Sequence, residues 1–201
     1  MDSDSQEKRG REKMTDFSSL KRMILPLFGE QLLVALVGMA DVFVVGFVGE
    51  AAVSGVSLVN SFNTIFINLF TALASGGAVV ISQYIGRNEA KQAGKAASQL
   101  LAASVLFSAA VTIPILAANA FLMRLMFGQV EADVMDASVI YLRISAYSYP
   151  ALALYNAGAA LYRSMNKTKV TMNISLLMNV INVAGNAIGI FVLHAGVAGV
   201  A

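Results

Sequence analysis

Residues 51–86 read AAVSGVSLVNSFNTIFINLFTALASGGAVVISQYIG and contain no charged side chain. This run exceeds the roughly 20 residues that an α-helix needs to cross the hydrocarbon of a bilayer. Backbone amides in lipid must find partners within their own segment, and the run is far too long for a barrel strand. The stretch therefore predicts a membrane-spanning helix.

Other long stretches of the chain have the same character. Residues 96–123 and 144–162 carry no charge, and after Lys169 only His194 could carry one. Hydrophobic residues make up 57% of the chain and charged residues 13%, which is not the composition of a soluble domain. With the apolar segment that follows the tail, we predict an all-α polytopic membrane protein whose five spans lie near 23–48, 53–82, 96–119, 137–162 and 170–194. Residues 1–22 are polar and mixed in charge, so we predict a disordered cytoplasmic tail.

The distribution of basic residues predicts the orientation. Twelve of the 14 Lys and Arg residues precede the first span or lie in the connections between spans two and three and between spans four and five. Cytoplasmic segments carry the excess of Lys and Arg, so the N-terminus is predicted to be cytoplasmic and the protein to lie in the cytoplasmic (inner) membrane. The net charge of +2 then reflects topology, and no nucleic-acid partner is expected.

The sequence offers little chemistry for catalysis. The chain has no cysteine and a single histidine, which excludes disulfides, thiolate metal sites and histidine clusters. It contains no glycine-rich phosphate loop and no nucleophile elbow. We therefore predict that the protein is not an enzyme and carries no organic cofactor.

Polar side chains recur at helical spacing inside two of the spans. Such stripes can form hydrogen bonds between helices in a dry bundle, or they can line a water-filled cavity. Two complete stripes together with an intramembrane acid favour the cavity. The stripe in span two consists of Asn60, Thr64, Asn68, Thr71 and Ser75 with Asn63 beside it, and the stripe in span five consists of Ser175, Asn179, Asn182 and Asn186.

Asp41 interrupts the otherwise apolar end of span one, and an ionisable group at that depth predicts a function. Threading of the spans puts Asp41, Tyr141, Asn182 and Asn186 at similar depth in the outer half of the membrane. A carboxylate, two amide oxygens and a phenol could hold Na⁺ or shelter a proton, because hard cations prefer oxygen ligands. Glu30 lies nearer the cytoplasm, and we interpret it as an acid that faces a cytoplasmic vestibule without a coupling role.

Several short motifs resemble the multidrug and toxic compound extrusion (MATE) exporters. They are Pro26 with DVFVVGFVG at 41–49, SQYIGRNE at 82–89, YLRI at 141–144 followed by Pro150, YRSMNKTK at 162–169, NVAGN at 182–186 and GVAG at 196–199. Their order and spacing across residues 20–201 are similar to the first bundle of that family, so residues 23–201 are interpreted as a partial N-lobe.

The resemblance implies two six-helix bundles around a central cavity that expel organic cations or other amphiphiles in exchange for Na⁺ or H⁺. It implies that Asp41 is the first-helix acid, Tyr141 the fourth-helix tyrosine, and Asn182 and Asn186 the polar pair of helix five. Some branches of the family have an acid at the position of Asn186. Because position 186 is an asparagine here, a proton mechanism that rests on two acids is disfavoured. The coupling ion is then Na⁺ or H⁺.

The length of the chain departs from the family, because it stops where a sixth helix would begin. We expect a fragment or truncated product, or a chain that pairs with a second lobe. One alternative is a non-transporting fragment or accessory subunit. Another is a flippase of lipid-linked saccharides, which should line its cavity with basic residues, whereas no Lys or Arg lies deeper in a span than Arg143. The expected partners are the lipid bilayer, small amphiphilic or cationic substrates and the missing lobe.

Overall fold

The computed structural model describes residues 24–40 and 42–199, so the predicted tail at 1–22 and Asp41 lie outside the described residues. Within these ranges the protein is helical and has no β-strand, which confirms the all-α prediction. The elements are α1 (Ile24–Gly46), α2 (Glu50–Gly86), α3 (Ala90–Phe127), α4 (Ala132–Ser164) and α5 (Thr168–Phe191), followed by a 3-10 turn at Gly196–Gly199.

Four of the described helices, α1, α2, α3 and α5, are long and apolar enough to cross a membrane. Helix α4 contains the predicted span 137–162 but is less apolar than the other four, so its own hydropathy does not mark it as a span. The reason is its position: α4 packs against both α2 and α3, and eleven of its 33 residues are buried. A helix enclosed by protein needs less lipophilic surface than one that faces lipid.

Short turns join consecutive helices. Asn88 (φ 57°) lies between α2 and α3, and Asn166 (φ 61°) lies between α4 and α5. Asparagine tolerates this left-handed conformation better than most residues, which allows the chain to reverse within a few residues. The connected helices therefore lie next to each other in antiparallel pairs.

The core of the lobe lies between α2, α3 and α4. Its largest cluster of buried side chains comprises Val59, Phe62, Phe70, Ile115, Met123, Leu142, Ala146, Tyr149 and Ala153. Gly55 lets α2 approach α4 closely, because a Cβ atom at this position would lie 2.9 Å from the Cβ of Ala137. Small residues at such crossings are typical of membrane helix pairs, where packing rather than hydrophobicity drives association.

The end of α5 is closed by the turn that follows it. The Ala195 amide donates to the Gly189 carbonyl (3.0 Å), and Gly199 lies so close to Gly189 that a Cβ there would be 2.3 Å from the Gly199 oxygen. At the same end of the lobe, the ring of Phe191 packs edge-on against the ring of Phe47, with centroids 5.4 Å apart. These contacts bring the last turns of α5 against the end of α1.

Candidate binding cleft

A cleft of about 260 Å³ opens between α1, α2, α4 and α5. Its wall on α1 is formed by Gly38, Val42 and Val45, which are apolar. The other helices supply the polar lining: Ser57, Asn60 and Asn63 from α2, Tyr141, Ser145, Ser148 and Tyr149 from α4, and Asn182 from α5. The described lining residues include no charged side chain.

Helical periodicity explains why these polar groups meet. Ser57, Asn60 and Asn63 follow one another at intervals of three residues, and Tyr141, Ser145 and Tyr149 follow at intervals of four. Both spacings keep side chains on one face of a helix. Because the close crossing at Gly55 holds α2 against α4, the two polar faces lie opposite each other.

Two phenols of α4 reach across to two amides of α2. The Tyr149 hydroxyl donates to Asn63 Oδ1 at 2.5 Å, and both side chains are buried. The Tyr141 hydroxyl donates to Asn60 Oδ1 at 3.4 Å nearer the opening. These bonds fix the orientation of the amide groups that border the cleft.

Two of the three serine hydroxyls of the cleft also donate their protons within the protein. Ser57 donates to the Val53 carbonyl and Ser148 donates to the Ser145 carbonyl, each at 2.7 Å. A hydroxyl whose proton is engaged can only accept further hydrogen bonds. Together with the two tyrosines, four hydroxyls of the cleft are therefore committed as donors, and their polar character toward a ligand is that of acceptors.

Some of the predicted coupling residues meet at this cleft. Tyr141 and Asn182 both line it. Asn186 is buried one turn further along α5, and its Nδ2 donates to Asn182 Oδ1 at 3.3 Å, so the two asparagines form one unit. Asp41, the acid of the predicted site, lies outside the described part of the chain.

The remaining predicted cavity residues divide into two groups. Asn60 and Asn63 line the cleft, whereas Thr64, Asn68, Asn179 and Glu30 are not among its lining residues. Thr64 and Asn68 are exposed, and the Thr64 hydroxyl is bound to the Asn60 carbonyl of its own helix. Asn179 is half-buried with an unpartnered Nδ2.

Glu30 differs from its predicted surroundings. It is buried rather than facing an open vestibule, and its Oε1 lies 3.8 Å from Nη1 of Arg163 on α4.

Four further polar residues of α2 and α4 line the cleft and were not predicted from the sequence: Ser57, Ser145, Ser148 and Tyr149. The signal that could have identified them is spacing. Ser57 lies three residues before Asn60, and Ser145, Ser148 and Tyr149 lie four, seven and eight residues after Tyr141. Each therefore shares a helix face with a residue that was already a candidate.

A coupling cation in the cleft would be coordinated mainly by neutral oxygen atoms. Within residues 24–40 and 42–199 no group of three or more histidine and acidic side chains is arranged to hold a metal ion. The cleft does provide amide and hydroxyl oxygens, which suit a hard monovalent cation if one carboxylate supplies the charge. This donor set fits Na⁺ better than a transition metal, which would prefer nitrogen or sulfur ligands.

Long apolar helices around a polar cleft define a polytopic helical membrane protein. The family model of MatE matches residues 26–188, and the chain belongs to this family. The resemblance found in the sequence motifs is thereby confirmed.

Relatives with known sequences and structures agree with this assignment. Over 187 residues the chain is 32% identical to "Uncharacterized transporter YisQ" of Bacillus subtilis (strain 168), covering 91% of this chain and 41% of that protein. It is 28% identical to "Probable multidrug resistance protein NorM" of Thermotoga maritima, covering 82% of this chain and 35% of that protein.

Among solved structures, a MOP superfamily transporter from Pyrococcus furiosus superposes with a TM-score of 0.85 at 22% identity, covering 90% of this chain and 40% of that one. This match shows that the two proteins share a fold. The chain thus spans about two fifths of the length of the proteins it matches.

Proposed function

We propose that this chain supplies the first lobe of an exporter that exchanges Na⁺ or H⁺ for organic cations or other small amphiphiles. The proposed location is the cytoplasmic membrane, with the N-terminus in the cytoplasm, as the distribution of Lys and Arg favours. Membership of the MatE family and the identity to a probable multidrug resistance protein support transport of this kind. The observation that carries the proposal is the cleft itself.

The cleft is suited to ligands that donate hydrogen bonds or carry positive charge. Its hydroxyls at Ser57, Tyr141, Ser148 and Tyr149 have already donated their protons inside the protein. Ammonium groups and Na⁺ require acceptor oxygens, which such hydroxyls provide. The described lining contains no Lys or Arg that could bind the pyrophosphate of a lipid-linked saccharide, which argues against the flippase.

Asp41 is the residue that we assign as the coupling acid. Gly38 lies three residues before it and Val45 four residues after it, and both line the cleft. Residues seven positions apart share a helix face, so the cleft borders α1 on both sides of position 41 in the sequence, which supports the assignment. An intramembrane carboxylate that binds either a proton or a cation, but not both, provides the exchange on which antiport depends.

The asparagines of α5 and the tyrosine of α4 are the proposed co-ligands. Asn182 borders the cleft with its amide oxygen held by Asn186, and Tyr141 lies across from it on α4. A neutral amide at position 186 contributes no second negative charge. One carboxylate with neutral oxygens is sufficient for a monovalent cation, so both Na⁺ and H⁺ remain candidates for the coupling ion.

Transport in this proposal requires further helices. The matched relatives are more than twice as long as this chain, and alternating access in such transporters depends on two lobes that move against each other. We propose that the second lobe comes from additional sequence of the same protein or from a second chain. The lipid bilayer covers the remaining apolar surface.

The test is efflux of the organic cation ethidium from cells that lack their own multidrug pumps, with this lobe produced together with its second lobe. Asp41→Asn should abolish efflux driven by a Na⁺ or pH gradient and leave membrane insertion intact. The matched control is Asp136→Asn, because Asp136 is exposed and lies before the predicted fourth span. Gradient-driven efflux at the original rate in the Asp41 variant would refute the coupling assignment.

A second candidate is a non-transporting subunit that binds an intact relative. Affinity purification of the chain from its native membrane distinguishes the two. Recovery of a complete MatE transporter that exports equally well without this chain would favour the subunit.

A further inference from the structure

Glu30 on α1 is a buried acid that the proposed transport mechanism does not use. It is 6% exposed, and its Oε1 forms an ion pair with Nη1 of Arg163 at 3.8 Å. Its second oxygen, Oε2, is buried and has no hydrogen-bond partner. The acid is therefore held by one long ionic contact rather than by a fully satisfied set of hydrogen bonds.

A third helix takes part in the same arrangement. The Tyr155 side chain of α4 lies near both members of the ion pair and near Ser175 of α5. Glu30, Tyr155, Arg163 and Ser175 together form what we call the Glu30 cluster. Among the described residues, Arg163 is the charged group of α4 that reaches Glu30, and Tyr155 is the other titratable group nearby.

The cluster and the cleft share two helices. On α4 the cleft residues end at Leu152, and Tyr155 begins the cluster one turn later. On α1, Gly38 of the cleft wall lies eight residues after Glu30, which is about 12 Å along a helix. A contact that fixes the first half of α1 therefore also fixes the position of the cleft wall.

A buried ion pair with an unsatisfied oxygen contributes little net stability, because desolvation offsets most of its attraction. It does restrict position, because α1 must keep Glu30 within reach of Arg163. Loss of Arg163 leaves the buried Glu30 carboxylate without compensation, and loss of the Glu30 charge removes the attraction, so either change favours displacement of α1. These properties suit a contact that orients a helix.

We propose that Glu30 is a positioning residue, whose ion pair with Arg163 holds α1 against α4 and beside Met172 of α5 and so sets the geometry of the cleft. The proposal rests on the proposed transport function for its kinetic consequence. Its structural consequence, the placement of α1, can be measured without any transport.

Cross-linking provides the structural test, because the chain has no native cysteine. A Cβ atom at Gly29 would lie 3.8 Å from the Met172 sulfur of α5, so the pair Gly29→Cys/Met172→Cys reports on the distance between α1 and α5. With a short bifunctional thiol reagent, we expect Glu30→Gln to slow cross-linking in native membranes about tenfold. Arg163→Gln should slow it similarly, and the two substitutions together should add little, since both remove one contact.

The control pair is Gly77→Cys/Leu100→Cys, which joins α2 to α3 and should cross-link at the same rate in every background. An unchanged rate for the Gly29/Met172 pair in both Glu30→Gln and Arg163→Gln would overturn the proposal. If Glu30→Gln does not insert, Arg163→Gln alone decides, because the Arg163 side chain is 32% exposed and its replacement is tolerated more easily.

Kinetics provide the functional test in the two-lobed protein. A displaced cleft wall should raise KM for ethidium about fivefold and leave kcat within about twofold, because uniform binding is lost. A merely structural role would lower the amount of inserted protein and leave KM unchanged, which would overturn the positioning role. Absence of transport in the unmodified protein would refute the proposed function, whereas the cross-linking result would still decide the placement of α1.

Discussion

Replacement of Tyr149 by Phe removes one buried hydroxyl and preserves the ring. The side chain is 2% exposed, and its ring packs against those of Phe66 and Phe70 with centroids 5.6 and 6.0 Å away. These contacts persist in Tyr149→Phe because the ring keeps its size and position. The substitution therefore isolates the hydrogen bond to Asn63 Oδ1, which loses its donor inside the core.

Two known ranges of hydrogen-bond energy determine the expected loss of stability in Tyr149→Phe. An acceptor left unsatisfied in a protein interior costs about 1–3 kcal/mol. Hydrogen bonds between helices of membrane proteins average about 0.6 kcal/mol and reach about 1.7 kcal/mol. Because this bond is short and both partners are buried, we expect the upper end of the membrane range. A loss of about 1.5 kcal/mol corresponds to roughly a tenfold change in the unfolding equilibrium.

The assay is unfolding of the purified protein by SDS in mild detergent micelles, followed by circular dichroism. Tyr147→Phe is the control, since Tyr147 is 64% exposed and should change the free energy of unfolding by less than about 0.5 kcal/mol. The double variant Asn63→Leu/Tyr149→Phe should recover part of the loss, because no polar atom is then left without its partner. Equal stability of Tyr149→Phe and Tyr147→Phe would refute the reasoning.

Three glycine substitutions give further predictions. Gly55→Ala should lower the free energy of unfolding, because the new Cβ would lie 2.9 Å from the Cβ of Ala137. Overpacking costs about 1–3 kcal/mol, which exceeds the gain of about 1 kcal/mol from the higher helix propensity of alanine. An unchanged SDS midpoint would contradict this. Gly94→Ala should instead raise the free energy of unfolding by about 0.5–1 kcal/mol, since nothing lies within 4 Å of its Cβ, and a lower SDS midpoint would be inconsistent with this packing. Gly189→Ala should displace the Gly199 backbone from α5 and speed proteolysis after Phe191, and protection equal to the original protein would show that the contact is unimportant.

The helices could be predicted from sequence because lipid imposes one backbone solution on a long uncharged run. Their ends could not. Helix α3 was predicted as span 96–119 but extends over Ala90–Phe127, and it includes Lys91, Lys95 and Arg124. Charge marks where a segment leaves the hydrocarbon, whereas the helix continues into the interface until its backbone turns. Hydropathy therefore predicts a crossing but does not predict the length of the helix.

The cleft could be predicted in part. The stripe on α2 identified the correct face at Asn60 and Asn63, yet Thr64 and Asn68 do not line the cleft. Spacing defines a helix face, but tertiary packing decides how far along that face other helices close over it. Glu30 illustrates the same limit, because its partner Arg163 is 133 positions away and no local pattern indicates that pairing.

The helices contribute unequally to the hydrophobic core, and this has an evolutionary consequence. Among the described residues, the main core cluster is built from α2, α3 and α4, whereas α5 contributes a single buried hydrophobic side chain, Ile190. Substitutions on α5, where Asn182 and Asn186 lie, therefore remove little core packing. Because natural proteins tolerate only small losses of stability, positions that carry little of it are free to change under selection. A lineage could thus change Asn182 and Asn186, the proposed co-ligands, while the three-helix core keeps the lobe folded.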